Sequence, residues 1–180
     1  SFLSIKYKNQ IINTHLIGDY NLTNIVAAIS IGEHFNISKQ HIVSAIENYT
    51  PKNNRSQHIQ KKSNTLLMDA YNANPTSTEL ALKNFSKIEH TNKVVILGDM
   101  FELGEDAAVE HQSIVDLCKT LRIDRCIFVG ENYYKTSATE KYKNFESLKN
   151  QLTKEPILGS YVLIKGSRGM ALERILDLIN

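Results

Sequence analysis

Long apolar runs, basic blocks and the familiar phosphate and metal signatures are what this sequence lacks. Its longest apolar stretch, Ile25-Val26-Ala27-Ala28-Ile29, stops far short of the roughly 18 residues a membrane helix needs, so no membrane span is expected. No basic block exceeds Lys61-Lys62 and the formal net charge is only +2, so the electrostatics mark no nucleic-acid partner. Two cysteines occur, Cys118 within an apolar helical pattern and Cys126 at the start of an apolar strand pattern. That placement reads as reduced core packing in a cytosolic protein rather than as a disulfide framework. The chain opens Ser1-Phe2-Leu3-Ser4-Ile5, with neither Met nor a charged-then-apolar leader, and reads as a piece of something longer. Neither G-x-x-x-x-G-K-[ST] nor G-x-G-x-x-G occurs, which leaves the chain without a P-loop or a dinucleotide fingerprint. Six histidines, His15, His34, His41, His58, His90 and His111, show no H-E-x-x-H or paired spacing, so no metal site is expected. A G-x-S-x-G nucleophile elbow is missing too.

What is present is an ordinary globular balance: 180 residues, 42% apolar and 22% charged, enough for one full domain or a domain plus a fragment. Phe2 to Tyr7 and Ile11 to Ile17 alternate in polarity around Lys8-Asn9-Gln10, which predicts a hairpin ended by Gly18. A helix then follows, capped by Asn21 with Ile25, Ala28, Ile29 and Ile31 as its buried face, and a second from Ser38 carrying Ile42, Val43 and Ile46. Fifty such residues make a poor independent core. Pro51-Lys52-Asn53-Asn54 reads as a linker, dividing the chain into 1–50 and 51–180.

Beyond it, apolar runs at Thr65 to Met68, Val94 to Leu97, Cys126 to Val129 and Tyr161 to Ile164 alternate with helical patterns at Ser77 to Phe85, Ala107 to Leu121, Phe145 to Leu152 and Gly169 to Ile179. This predicts an α/β fold, a Rossmann-like, doubly wound and mostly parallel sheet with helices on both faces. In such sheets ligands bind at the carboxyl ends of the strands. There the sequence is polar. Asp69-Ala70-Tyr71-Asn72-Ala73-Asn74-Pro75-Thr76-Ser77 offers a carboxylate, a phenol and two carboxamides that can both donate and accept, closed by Pro and a Ser or Thr helix cap; Asn and Asp also serve plain turns. Gly98-Asp99-Met100-Phe101-Glu102-Leu103-Gly104 brackets two carboxylates that could hold an ammonium group. Gly130-Glu131 ends a third strand, and Lys165-Gly166-Ser167-Arg168-Gly169 could form an anion site at a helix start. By these rules alone the reaction stays open, and a binding module without catalysis fits as well as an enzyme.

Taken together, Gly18-Asp19-Tyr20-Asn21-Leu22-Thr23-Asn24 before an Ala-Ala helix, Arg55 after the linker, and the Asp69 to Pro75, Leu97 to Gly104 and Lys165 to Gly169 loops resemble the Mur ligase family over almost the whole chain. The Tyr-Asn-Ala-Asn-Pro and Gly-Asp-Met-x-Glu-Leu-Gly loops resemble those of its dipeptide-adding member. The Gly-x-x-Asn-x-x-Asn helix start is shared with sibling amino-acid ligases and folylpolyglutamate synthase.

The resemblance implies that residues 1–50 end a central ATP-binding domain and that 51–180 form the C-terminal domain, the P-loop lying in a missing part. It implies ATP and Mg2+ as cofactors, with UDP-N-acetylmuramoyl-tripeptide and D-alanyl-D-alanine joined through an acyl phosphate in peptidoglycan synthesis. A monomer in the bacterial cytoplasm, with no nucleic acid or membrane partner, is the family expectation; the fragment alone is expected to be inactive. Asn21, Asn24, Arg55 and Asp69 fall on nucleotide-binding positions: Asn24 toward adenine with Asn21 structuring the same turn, Arg55 and Asp69 toward phosphate and ribose. Tyr71, Asn72, Asn74 and Thr76 fall near the incoming dipeptide, with Asp99 and Glu102 as candidates for its ammonium group. His111 reads as structural. Tyr20 departs from the family, where His is usual.

Overall fold

The computed structural model describes residues 2–18, 21–52 and 54–179. It divides into two units, Ser1–Lys52 and Asn53–Asn180.

In the first unit, β1 (Phe2–Tyr7) and β2 (Gln10–Ile17) pair antiparallel with Tyr7 opposite Gln10. Lys8 and Asn9 turn the chain with φ of 43° and 63°, the left-handed pair that matches hairpin twist. Helices α1 (Asn21–His34) and α2 (Lys39–Asn48) complete the unit, and the Ser38 hydroxyl accepts from the His41 N–H to cap α2. Ile25 and Ile29 of α1 pack with Ile12, Leu16, Ile42 and Val43. The predicted α1 face was too wide: Ala28 and Ile31 are exposed, Ile31 because at 100° per residue it falls well off the stripe set by Asn21, Ile25 and Ile29, and Ala28 because it sits at the edge of that stripe.

The second unit holds a six-stranded sheet in the order β3-β4-β8-β5-β6-β7. These are β3 (Gln57–Lys61), β4 (Asn64–Asp69), β5 (Lys93–Gly98), β6 (Arg125–Val129), β7 (Lys141–Tyr142) and β8 (Tyr161–Lys165). All neighbours are parallel except β3 and β4. Helices α3 (Pro75–Ser86), α4 (Ala107–Thr120), α5 (Glu131–Tyr134) and α6 (Phe145–Lys154) lie between strands. Leu66, Met68, Ile96, Val162 and Ile164 join Leu148, Leu152, Leu172 and Ile175 in one core, while the alternate residues Leu67, Val95 and Leu163 are buried on the other face. Burial on both faces is why the strands are continuously apolar.

Three features differ from expectation. The polar edge strands β3 and β7, and the one-turn α5, were not predicted. The helix predicted over Gly169 to Ile179 is instead two 3-10 segments, Arg168–Met170 and Leu172–Asp177, separated by Ala171 in the left-handed conformation. Leu172, Ile175 and Ile179 are still buried, so the apolar spacing was real but the backbone is wound more tightly. Finally, the cap of α3 is Asn74 rather than Ser or Thr: its carboxamide oxygen accepts from the Ser77 N–H at 2.8 Å and the Ser77 hydroxyl accepts from the Asn74 N–H. Asn74→Ala is expected to lower stability by about 1 kcal/mol, and Asn74→Asp to keep it; equal urea midpoints for Asn74→Ala and wild type would remove the cap from the account.

Candidate functional site

The parallel arrangement brings the carboxyl ends of β4, β8 and β5 to one edge. Asp69 ends β4 and Lys165 ends β8 in direct register. The Lys165 ammonium donates to Asp69 Oδ2 at 2.7 Å and to the Asn72 carbonyl at 3.2 Å, and the side chains are 3% and 19% exposed. A cation this buried is tolerated because its donors are met by a carboxylate and a carbonyl. Asp69 Oδ1 accepts from the Ser56 N–H at 3.1 Å, and the Tyr71 N–H donates to the Asn54 carbonyl at 3.1 Å. These two bonds hold residues 54–56 against 69–71. The Arg55 guanidinium sits over the Tyr71 ring, its Cζ 3.6 Å from the centroid, with both residues exposed. Stacking uses the face of the guanidinium and leaves its in-plane N–H fork available to an anion.

Asn72 and Thr76 are exposed on the same loop, Asn72 Oδ1 accepting from the Ala73 N–H at 2.9 Å. Asn74 is exposed but spends its carboxamide oxygen on the helix cap. The neighbouring loops are tied together by Ser167, whose hydroxyl accepts from the Phe101 N–H at 2.8 Å and donates to the Ala73 carbonyl at 3.4 Å. Gly166 and Gly98 pass so closely that a Cβ on Gly166 would stand 3.1 Å from the Gly98 Cα and 2.9 Å from a Leu172 methyl, so any side chain there would push its neighbours aside.

Asp99 is turned away from any ligand. It is 3% exposed, and its carboxylate accepts from the Asn132 and Tyr133 N–H groups at 2.9 and 3.0 Å, which anchors the start of α5. The ammonium-binding expectation is therefore withdrawn for Asp99, whereas Glu102 is exposed at the loop tip with φ 65°. His111 is fully buried; its Nε2 accepts from the Met100 N–H at 3.0 Å and its Nδ1 meets the Ala107 carbonyl at 2.6 Å. These contacts put the proton on Nδ1 and give the ring to loop support. The anion-site expectation for Lys165 to Gly169 also fails: Lys165 is committed to Asp69, and the turn that follows is a three-residue 3-10 segment with exposed Arg168 near Glu173.

In the first unit, the Asn21 carboxamide donates to the Ile17 carbonyl at 2.9 Å and accepts from Asn24 Nδ2 at 3.2 Å. Asn21 is buried and Asn24 exposed. Tyr20 lies outside the described residues. Sequence reasoning missed Ser56, quoted Ser167 only as part of a candidate anion loop rather than as the tie between neighbouring loops, and named Lys165 without its partner. The sequence shows only that Asp69 and Lys165 each end an apolar run; that the two strands are neighbours, which lets acid and base pair, comes from the sheet order.

The family model described as "Mur ligase, glutamate ligase domain" matches residues 54–168, a stretch holding β3 to β8, the two loops after β4 and β5, and the Lys165 to Gly169 loop up to Arg168. The chain is 31% identical to the UDP-N-acetylmuramoyl-tripeptide--D-alanyl-D-alanine ligase of Treponema pallidum, over 97% of this chain and 40% of that protein. It is 28% identical to the protein of that name in Bacillus subtilis, over 91% and 39%. Among solved structures it is similar to MurF from Acinetobacter baumannii, with a TM-score of 0.79 and 26% identity over 94% of this chain and 40% of that one. MurF from Thermotoga maritima in complex with ADP has the same TM-score at 17% identity, over 98% and 42%, a likeness of fold alone. The chain thus spans about two-fifths of the length of these relatives. With the family model matched across the whole parallel sheet and the loops at its carboxyl edge, the chain belongs to the Mur ligase family.

Proposed function

We propose that this chain is part of an ATP-dependent ligase that joins D-alanyl-D-alanine to UDP-N-acetylmuramoyl-tripeptide in bacterial peptidoglycan synthesis. On this reading the unit ending at Lys52 closes an ATP-binding domain and the larger unit is the C-terminal domain. The observation that carries the reading is the convergence of the Asp69 to Thr76 and Gly98 to Gly104 loops at one sheet edge, in a chain whose relatives bear that ligase name. The enzyme acts as a monomer in the cytoplasm, and Mg2+ is held largely by the part of the relatives that this chain does not span.

The residues fit a nucleotide. Arg55 presents an exposed guanidinium fork suited to phosphate oxygens. Asp69 Oδ1 is taken by the N–H and hydroxyl of Ser56, while Oδ2 keeps a lone pair beyond its bond to Lys165, which suits a ribose hydroxyl. Asn24 has its carboxamide oxygen to offer adenine, while Asn21 holds it in place. ATP supplies the phosphoryl group that activates the tripeptide carboxylate. Tyr71, Asn72 and Thr76 then orient the dipeptide, Asn74 contributes its amide nitrogen, and Glu102 is the carboxylate left for the ammonium group.

The test is phosphate release by the full-length parent enzyme given ATP and UDP-N-acetylmuramoyl-tripeptide. Release that requires D-alanyl-D-alanine is expected. Release with a single amino acid instead would reassign the chain to a sibling ligase, and no release with either would return it to a binding module.

A further inference from the structure

Away from the strand ends, the two cysteines meet. The β5-α4-β6 crossover returns the last turn of α4 to the first residues of β6 through residues 121–124, which brings Cys118 and Cys126 to one cavity. Both line an open cavity of about 370 Å³ together with Lys119, Arg125 and Glu140. Cys118 is 5% exposed, whereas Cys126 is only partly buried. Neither residue belongs to the loops described above.

We propose that Cys118 and Cys126 form a thiol–disulfide exchange site, which takes a small disulfide of the glutathione type and closes into an intramolecular disulfide. The division of labour follows from the geometry. Cys126 is the sulfur that a reagent in the cavity reaches first, and Cys118 sits beneath it as the resolving thiol. The neighbouring thiols act on each other, holding the Cys126 thiol below its ordinary range and, together with burial, pushing Cys118 up. Glu140 opposes this at Cys126, but its carboxylate is bound at 2.8 and 2.6 Å by the Arg125 guanidinium. A thiolate on Cys126 is the form that attacks.

The exchange balances. The Cys126 thiolate attacks one sulfur of the small disulfide, whose S–S bond breaks and releases one thiolate. Cys118, giving its proton to solvent, then attacks Cys126 sulfur in the mixed disulfide and expels the second thiol. Two protein thiols are oxidised and one disulfide is reduced to two thiols. The ring encloses only residues 118–126, and both cysteines lie near element ends, where the backbone can give the Cβ approach of about 4 Å that a disulfide needs.

The reduced 180-residue chain is incubated with glutathione disulfide, quenched by acid and alkylation, and mapped by peptide mass. The expected product is a linked Cys118–Cys126 peptide that has lost two thiol hydrogens and carries no glutathione. Cys118→Ser should stop at a stable glutathione adduct on Cys126, and Cys126→Ser should stay unmodified. A wild-type chain that keeps glutathione on Cys126, forms intermolecular disulfides or does not react would overturn the proposal. So would a folded Cys126→Ser variant that reacts at Cys118 as fast as the wild type reacts at Cys126. If a serine variant does not fold, the wild-type product alone decides.

Discussion

Lys165→Met is expected to cost the larger unit about 3 kcal/mol of stability, the magnitude typical when one partner of a buried ion pair is removed. The side chain is 3% exposed and pairs directly with the Asp69 carboxylate, while its second bond fixes the Asn72 carbonyl. Methionine fills similar volume, so the loss reports charge and hydrogen bonding rather than a cavity. Amide exchange of the most protected β8 residues reads the larger unit by itself. Adding Asp69→Asn to Lys165→Met should recover part of the loss, because the stranded carboxylate is then neutral. A Lys165→Met chain within about 1 kcal/mol of wild type, on the scale of a solvated pair, would mean that Asp69 does not depend on this cation. On the proposed function, the same variant in the full-length parent is expected to raise the apparent KM for ATP, since Asp69 and, through Ser56, Arg55 are positioned by it.

Gly130→Ala should be more damaging still, about 4 kcal/mol, from backbone strain together with lost hydrogen bonds. Gly130 has φ +133°, and a Cβ there would stand 2.2 Å from the Asp99 carboxyl carbon and 2.3 and 2.5 Å from its oxygens. Neither the backbone nor the carboxylate can yield cheaply. Asp99 is buried between the strand end and α5, and moving it strands the Asn132 and Tyr133 N–H groups. The double variant Gly130→Ala with Asp99→Ala is expected to be less destabilised than the two single losses added together, because the alanine methyl no longer meets a carboxylate. Additive losses, or a Gly130→Ala chain that melts with wild type, would refute the packing argument.

Asp99 also marks a limit of reading a chain one residue at a time. A carboxylate that follows a strand in a glycine-bracketed loop has the composition of a ligand-binding residue, and Glu102 three positions on has the same composition. Only the fold separates them, since Asp99 is turned inward onto α5 and Glu102 outward at a loop tip. Asn74 and Asn72 divide in the same way: both are exposed amides, but the one before Pro75 is drawn into a helix cap. Local chemistry offers the same groups for two uses, and long-range geometry chooses between them.

By itself the sequence determined the parts whose signal is local and strong. The hairpin, α2, α3, α4, α6 and the strands β4, β5, β6 and β8 were legible because a two-residue turn, capped helical periodicity or a continuous apolar run leaves few alternatives. The loops that carry the family resemblance were legible for the same reason, as contiguous residues. Tertiary structure alone decided what depends on partners distant in the chain. The polar β3 is a strand because β4 offers it a hydrogen-bonding edge, and β7 is one through β6. The C-terminal apolar stretch winds as 3-10 segments because Ala171 turns left-handed and Leu172 packs against Gly98 and Gly166. Lys165 meets Asp69 across 96 positions, and the pairing exists only because β8 inserts beside β4. Charge and hydrogen-bonding capacity are properties of a residue, but whether they face solvent, ligand or another buried charge is set by the neighbours that folding supplies.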